Sequence, residues 1–320
     1  MTRSAWSRLA AESVSRLGTG LASRISRVKG TSSRSRYHEN RPAEDASPYV
    51  SVLDCGQGVI KAMVLDAGAT PPMVLAAAVQ PAPEPTTAGE ADFGSLVAAV
   101  EQALVAAEDG AEVVPRRVVL GVAGSVPAAG FGRTVARRPR PAAPVTRQEL
   151  TQALGRARRT ALASAQQDYN AEHADSVELE VVNAAVQRIV LDGRPIARPA
   201  EVIGLAGEDL DISVVTSVTA VSEVRRQRHL AEALDLEVAG LVGMPFALAA
   251  ALRSAARAGA VVVDVGAHTT TVALVGPQGM DGALSFPVGG AALEVGVAGE
   301  LGVDVSRARE LIAAHTAGAG

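Results

Sequence analysis

This sequence has few aromatics, a single cysteine and no long apolar run. Aromatic residues make up 2% of its 320 positions, with Ala and Val filling the apolar fraction instead. That scarcity argues against stacked-base nucleic-acid binding, which relies on aromatic platforms. The one cysteine, Cys55, excludes an internal disulfide and fits a reducing cytoplasm. It reads either as a small buried side chain beside a glycine or as a redox-sensitive thiol. The longest apolar run, Val238 to Leu252, has fifteen residues and contains Pro245. A membrane-spanning helix needs about 20. The N-terminus has no continuous apolar core followed by a cleavage site, so it does not read as a secretory signal. His173 and His315 stand alone without metal-like spacing. His229 follows RRQR and reads as part of a solvated helix face. No Ser/His/Asp or Cys/His arrangement is discernible.

What is present is a 48% hydrophobic chain, long enough for about two domains and a sizeable core. Its net charge of −4 hides an asymmetry. Up to residue 36, seven arginines and Lys29 stand against Glu12, a net of +7, so the remainder carries −11. A basic arm on an acidic body points to an anionic partner for the arm alone. Residues 1–29 are periodic like an amphipathic helix. Trp6, Leu9, Ala10, Val14, Leu17, Leu21, Ile25 and Val28 fall on one side, with Arg8, Glu12, Arg16 and Arg27 opposite. Gly18 and Gly20 weaken its middle. Arg3, Trp6, Arg8, Leu9, Arg16, Leu17, Leu21, Arg24, Ile25, Arg27, Val28 and Lys29 are the residues expected to meet an anionic membrane surface. A helix packed on the protein's own acidic body, or a disordered arm, is the alternative. Residues 30–48 are polar, contain Pro42 and Pro48, and read as a flexible linker.

The folded body is organised around Val261 to Val275, VVVDVGAHTTTVALV. It reads as strand, tight turn, strand. Such a turn can offer backbone N–H groups and hydroxyls to a phosphate while its carboxylate holds a hydrated metal ion. A second copy lies 210 residues earlier, at YVSVLDCGQGVIKAMVL from Tyr49 to Leu65. Aligning Asp54 with Asp264 places Gly56 under Gly266. The repeat suggests two lobes that each present a turn to one cleft. A plain hairpin with permissive glycines is the alternative for the first turn, and a degenerate turn that binds nothing is the alternative for the second.

Strands at about 50–55, 59–66 and 73–79 form an antiparallel meander. A helix follows at about 92–108, with Leu96, Val100, Leu104 and Val105 on its apolar face, and then a buried-type strand from Arg117 to Val122. Residues 124–215 interrupt the alternation. They give a strand near 130–137, a helix near 146–168, a strand pair about Asp192–Gly193 and a strand near 209–219. The arginines at 133, 137, 138, 140, 147, 156, 158 and 159 read equally as a surface for an acidic neighbour subunit or as a solvated face. The order of a helix at 220–235, a strand at 237–242, a helix at 245–258 and the strand entering Asp264 predicts that the two strands pair in parallel. Beyond the second hairpin come a strand at 282–288, a helix opened by Gly289 and Gly290, and a helix at 305–315.

A D-x-G turn used twice around an inserted segment resembles the actin, sugar-kinase and heat-shock-chaperone superfamily. DCGQGVIK is similar to its first phosphate loop and DVGAHTTT to its second. Within it, RPRPAAPVTRQEL (138–150), VVNAAVQRIVLDGRP (181–195), IGLAGEDLDISVVTSVT (203–219) and FPVGGAALEVGVAGELGVDVSRARELI (286–312) resemble FtsA, the actin-like bacterial cell-division family. The PilM family of pilus assembly has a similar layout. The resemblance covers about 50–315. It implies an α/β, actin-like (ribonuclease H-like) two-lobed fold. Residues 49–123 would form the first lobe and 124–215 an inserted α+β subdomain suited to docking. Residues 216–320 would return to the first lobe and supply part of the second. The family's adenosine-contacting segment has no counterpart before Gly320, so part of the second lobe is expected to be missing.

The resemblance also implies ATP and Mg²⁺. Asp54, Gly56, Gln57, Gly58, Lys61, Asp264, Gly266, His268, Thr269 and Thr270 would face phosphate, and Asp54 and Asp264 would hold the metal through water. Gln57 stands where the family often has Ser or Thr, His268 replaces a glycine and Thr271 an aspartate. Those departures, with the missing adenosine segment, point to nucleotide binding that is weak or lost and to slow hydrolysis, at most a slow ATPase. The implied function is cytoplasmic, on the inner face of the cell membrane: self-association, and a link from the membrane to a tubulin-like division protein. No nucleic-acid partner is expected. A PilM-like scaffold of a pilus or secretion machine is the alternative. A sugar-kinase-like phosphotransferase would need a catalytic acid and a sugar pocket, for which no motif is present.

Overall fold

The computed structural model describes residues 47–83, 92–122, 129–172, 177–252 and 259–316. The basic arm at 1–29 and the linker before Ser47 lie outside the described residues, as does His173. The chain opens with β1 (Tyr49–Cys55), β2 (Val59–Asp66), β3 (Met73–Pro81), α1 (Phe93–Ala111) and β4 (Arg117–Val122). The inserted part holds β5 (Ala129–Arg137), α2 (Arg147–Glu172), β6 (Leu179–Leu191), β7 (Arg194–Ile196), a short 3-10 turn and β8 (Asp209–Ala220). Then come α3 (Val221–Ala233), β9 (Glu237–Gly243) and α4 (Met244–Leu252). The chain continues with β10 (Ala260–Val265), β11 (Thr270–Gly276), β12 (Gly279–Phe286), α5 (Gly290–Leu301) and α6 (Val305–Thr316). No described helix is long and apolar enough to cross a membrane.

The first sheet runs β3-β2-β1-β4-β9. β1 to β3 are an antiparallel meander, and β4 and β9 add in parallel beyond β1. Alternation along the strands gives it two apolar faces. Leu53, Ile60, Ala62 and Val64 meet α1 and α3. Val50, Met63, Leu65, Val119 and Val242 face the other way, toward Ala247 of α4. Asp92 starts α1 by accepting the Ser95 N–H at 3.0 Å, a side-chain cap for a free helix-end donor. Leu96, Val100 and Leu104 are buried as predicted, but Val105 is exposed, and Ala103 and Ala107 complete the face.

The predicted parallel pairing of the strand at 237–242 with the one entering Asp264 does not occur. β9 pairs with β4, and β10 begins a separate sheet, β10-β11-β12. The outer edge of β4 was left open by the insertion, and β9 is the first returning strand to reach it. α4 then carries the chain between the sheets, packing Ala247 toward the first and Phe246 and Ala249 toward the second.

The inserted sheet runs β5-β8-β6-β7 under α2, whose Ala153, Ala157, Ala161 and Ala165 form a buried stripe at four-residue spacing. Small residues let this helix lie close on β5: a Cβ at Gly132 would collide with the carbonyl oxygen of Ala157. The opposite face of the sheet is not free. Ala129, Val215 and Ala185 share one cluster with Ala273, Val275, Met280 and Ala283 of the second lobe. Gln187 donates to the Asp281 carbonyl at 3.0 Å, and Asn183 bonds the end of β9. The insert therefore touches both lobes.

Several of its arginines are used internally. Arg133 holds Asp211 through two bonds of 2.9 and 2.8 Å, and Arg137 pairs with Glu208. The Arg138 guanidinium is buried against Glu149 and the carbonyls of Gly207 and Ala143. Arg158 donates to the Val181 carbonyl. His229 is exposed as expected, yet stacks on Phe93 with ring centroids 4.5 Å apart.

The second sheet carries Val261, Val263, Val265, Leu274, Leu284 and Phe286 exposed. The register puts these side chains on one face. Among the described residues no strand pairs with the outer edge of β10.

Candidate functional site

The two predicted turns have the same construction. The last ladder pairs are Cys55↔Ile60 and Val265↔Thr270, leaving four residues in each loop. A Cβ on Gly56 would stand 2.7 Å from the Val59 carbonyl oxygen, and one on Gly266 would stand 2.9 Å from that of Thr269. Each loop thus closes on its own carbonyl three residues later, and only glycine leaves room. In the second loop the closure is bonded, with the Gly266 N–H donating to Thr269 O at 2.8 Å.

The fold brings the two turns together. A Cβ on Gly58 would lie 3.1 Å from the Cβ of Ala267, so loops 210 residues apart meet at one cleft. Asp54 is buried at the end of β1, and Lys61, its cross-strand partner, reaches it with Nζ–Oδ2 at 3.1 Å. Asp264 is half-buried at the matching end of β10. Burial holds its carboxyl above the usual carboxylate range; the Lys61 charge opposes that rise and the Asp54 charge adds to it. These three side chains therefore share one electrostatic environment.

The other predicted residues divide. Gln57, Gly58 and His268 are exposed at the mouth, and Thr269 is half-buried. The Thr270 hydroxyl donates to the Val288 carbonyl at 2.7 Å, so it braces the turn to the chain leading into α5. Thr271, opposite Asp264, is buried and shares a 3.1 Å hydrogen bond with Ser285. The first amides of α5 are likewise used: Gly290 N–H and Ala291 N–H donate to the carbonyls of Gly266 and Ala267 at 2.9 and 2.8 Å. The Cys55 thiol is pushed up to about 12, by burial first and by the Asp54 charge second. A thiol so raised stays protonated, which suits a packing role.

The start of α3 carries a charged cluster that the two turn motifs do not announce. Glu223 accepts two bonds from Arg226 at 2.9 and 3.0 Å and one from Gln227 at 2.8 Å. The charges of Arg226 and Glu223 both reach Cys55, so this cluster lies beneath the first turn. The Glu-x-x-Arg spacing opening a helix was its only signal in the sequence.

Among the described residues no group of three or more His, Cys, Asp or Glu could hold a metal. Two carboxylates flanking glycine turns are instead the donor set of a hydrated ion shared with phosphate, the manner in which Mg²⁺ keeps its waters. Asp54 and Asp264 fit that group.

No family model and no curated protein matches the chain. Solved structures do. PilM in the PilM–PilN type IV pilus biogenesis complex is 17% identical, over 82% of this chain and 68% of that one, with a TM-score of 0.55. The ethanolamine utilization protein EutJ from Carboxydothermus hydrogenoformans is 15% identical over 82% of this chain and 60% of its own, with a TM-score of 0.43. A Bacteroides thetaiotaomicron protein described as having an actin-like ATPase fold is 11% identical over 81% and 79%, with a TM-score of 0.33. At such identities the likeness is one of fold. The chain has the two-lobed actin-like α/β fold, with an α+β subdomain set in after β4.

Proposed function

We propose that this chain is a nucleotide-responsive actin-like scaffold in a membrane-attached assembly machine, nearer in kind to PilM than to FtsA. The observation that carries the nucleotide part is the meeting of the Asp54 and Asp264 turns, through Gly58 and Ala267, at one cleft. ATP with Mg²⁺ is the ligand that suits two glycine turns and two carboxylates. When bound, the ion would neutralise phosphate charge. Asp54 and Asp264 would hold its waters, and Gly56, Gly58 and Gly266 would let phosphate approach the backbone. Thr271 is buried and bonded to Ser285, so it supplies no acid to position a water. Turnover should be slow.

The PilM-like choice is supported by the solved complex, whose fold this chain shares over most of its length. A partner would then be the short cytoplasmic tail of an inner-membrane protein. The FtsA-like reading would instead have the C-terminal tail of a tubulin-like division protein as partner. Calorimetry with Mg·ATP should show binding that Asp264→Ala removes, with little phosphate release. Immobilised peptides of the two tails separate the readings. Selective capture by the division-protein tail would sink the PilM-like one, and rapid phosphate release, or phosphorylated sugar from a substrate screen, would point to an enzyme.

A further inference from the structure

The chain contains 28 arginines and only two lysines, Lys29 and Lys61. Arginine is the basic residue in seven ion pairs of the described body, whereas the cleft pair Lys61–Asp54 uses lysine. The two side chains differ physically. Arginine offers a planar fork that fixes a carboxylate in a bidentate pair, whereas lysine offers a compact, strongly hydrated point charge on a flexible stem. A point charge is the closest protein equivalent of a small cation.

The position of Lys61 follows from the hairpin. It is the direct cross-strand partner of Asp54, one pair in from the turn. The equivalent position in the second hairpin, opposite Asp264, is Thr271, which is uncharged and bonded to Ser285. One ammonium group therefore serves two carboxylates. It lies 3.1 Å from Asp54 with about a third of its side chain exposed, so it has room to leave. Its charge also acts on Asp264, across the contact of the two turns.

We infer that Lys61 is a tethered counter-cation: in the metal-free protein its ammonium group neutralises the Asp54 and Asp264 pair, and a divalent ion can take that pair only by displacing it. The inference rests on the proposed nucleotide site and adds an order of events to it. An ion arriving alone meets a positive charge already paired with its ligand. An ion arriving with phosphate gives Lys61 a second anion to move to, so metal and phosphate would bind together and each poorly alone.

The test is Mn²⁺ titration followed by electron paramagnetic resonance on the full chain without nucleotide, with ATP binding measured separately by calorimetry. Lys61→Met should bind Mn²⁺ about ten-fold more tightly than the parent, since a like charge a few ångströms away is removed. Its ATP affinity should fall. Lys61→Gln, which keeps a polar tip, should show the same opposite movements if Lys61→Met folds poorly by circular dichroism. Asp54→Asn or Asp264→Asn in either background should remove the gained Mn²⁺ binding. A purely structural lysine would weaken both ligands or neither. Mn²⁺ affinity unchanged or lowered in both folded variants overturns the inference. Tighter Mn²⁺ binding with no ATP uptake by any variant upholds it and overturns the nucleotide reading instead.

Discussion

Asn183, on the inserted sheet, accepts the Gly243 N–H at 2.7 Å and donates to the Leu241 carbonyl at 3.1 Å. One amide thus closes the end of β9, the point from which α4 leaves for the second lobe. It sits at a register shift in β6, between Val181 and Asn183, which turns its side chain out of the ladder and toward the first lobe. Gln187 on the same strand reaches Asp281 of β12. The insert holds both lobes from one strand.

Asn183→Ala leaves a backbone donor and an acceptor without their partner, which costs about 1–3 kcal/mol when such groups are sheltered from water. Urea unfolding should show the midpoint fall by a corresponding amount with the slope unchanged. A variant as stable as the parent would mean that water replaces the amide fully.

Deleting 124–215 and rejoining the strands should not leave a folded remainder. Ala273, Val275, Met280 and Ala283 would lose the Ala129, Ala185 and Val215 side of their cluster. The expected signature is loss of a cooperative thermal transition and rapid proteolysis near β11 and β12. A deletion protein that melts cooperatively would restore the view of the insert as an attached module.

Glu149 predicts acid sensitivity. The Arg138 hydrogen bond, then the Thr146 N–H, hold its carboxyl below the usual range. Asp211 is held low by Arg133, and Asp192 by the N–H groups of Asp209 and Glu208. A carboxyl depressed in the folded state contributes stability above its unfolded value, roughly 4, and loses it as pH falls through the folded value. Stability should therefore drop below about pH 4. Glu149→Gln should be about 1 kcal/mol less stable at pH 7, since Glu149 is a third exposed and solvent screens its pair with Arg138. The two proteins should converge as the pH falls. Parallel curves down to acid pH would show that the pair contributes nothing.

The basic arm gives a membrane prediction. Each basic residue near an anionic leaflet is worth roughly 1 kcal/mol, and residues 1–36 carry a net +7. The full chain should co-sediment with anionic vesicles, release with salt, and lose binding when it starts at Ser47. Equal binding by both chains would remove the arm as the anchor.

The two hairpins were legible because their features are local. Gly56 and Gly266 sit where a loop closes on its own carbonyl, and the flanking Val and Leu alternate at a period of two. The α2 region was legible from its length, although its buried stripe is alanine and not the large apolar residues that periodicity usually marks. What stayed hidden depends on contacts distant in sequence. Nothing near Glu237 says that β9 will take the open edge of β4. Nothing near Arg133 or Arg138 says that Asp211 and Glu149 will reach them. The bond from the Thr270 hydroxyl to Val288 needed the chain beyond β12 in place. The internal pairing of Arg133, Arg137 and Arg138 stayed hidden for the same reason, since a charge count does not see partners.

The outer edge of β10, with which no described strand pairs, has a practical consequence for any assembly experiment. An edge that no described strand covers, beside exposed Val261, Val263 and Val265, is a template for strand addition and a sticky surface in concentrated solution. Filaments or particles that such an edge nucleates would form without nucleotide, and sulfate would promote them by strengthening apolar burial. Light scattering from this protein should therefore be read as a difference between Mg·ATP and nucleotide-free samples at matched salt. Only the part that Asp264→Asn abolishes belongs to the cleft.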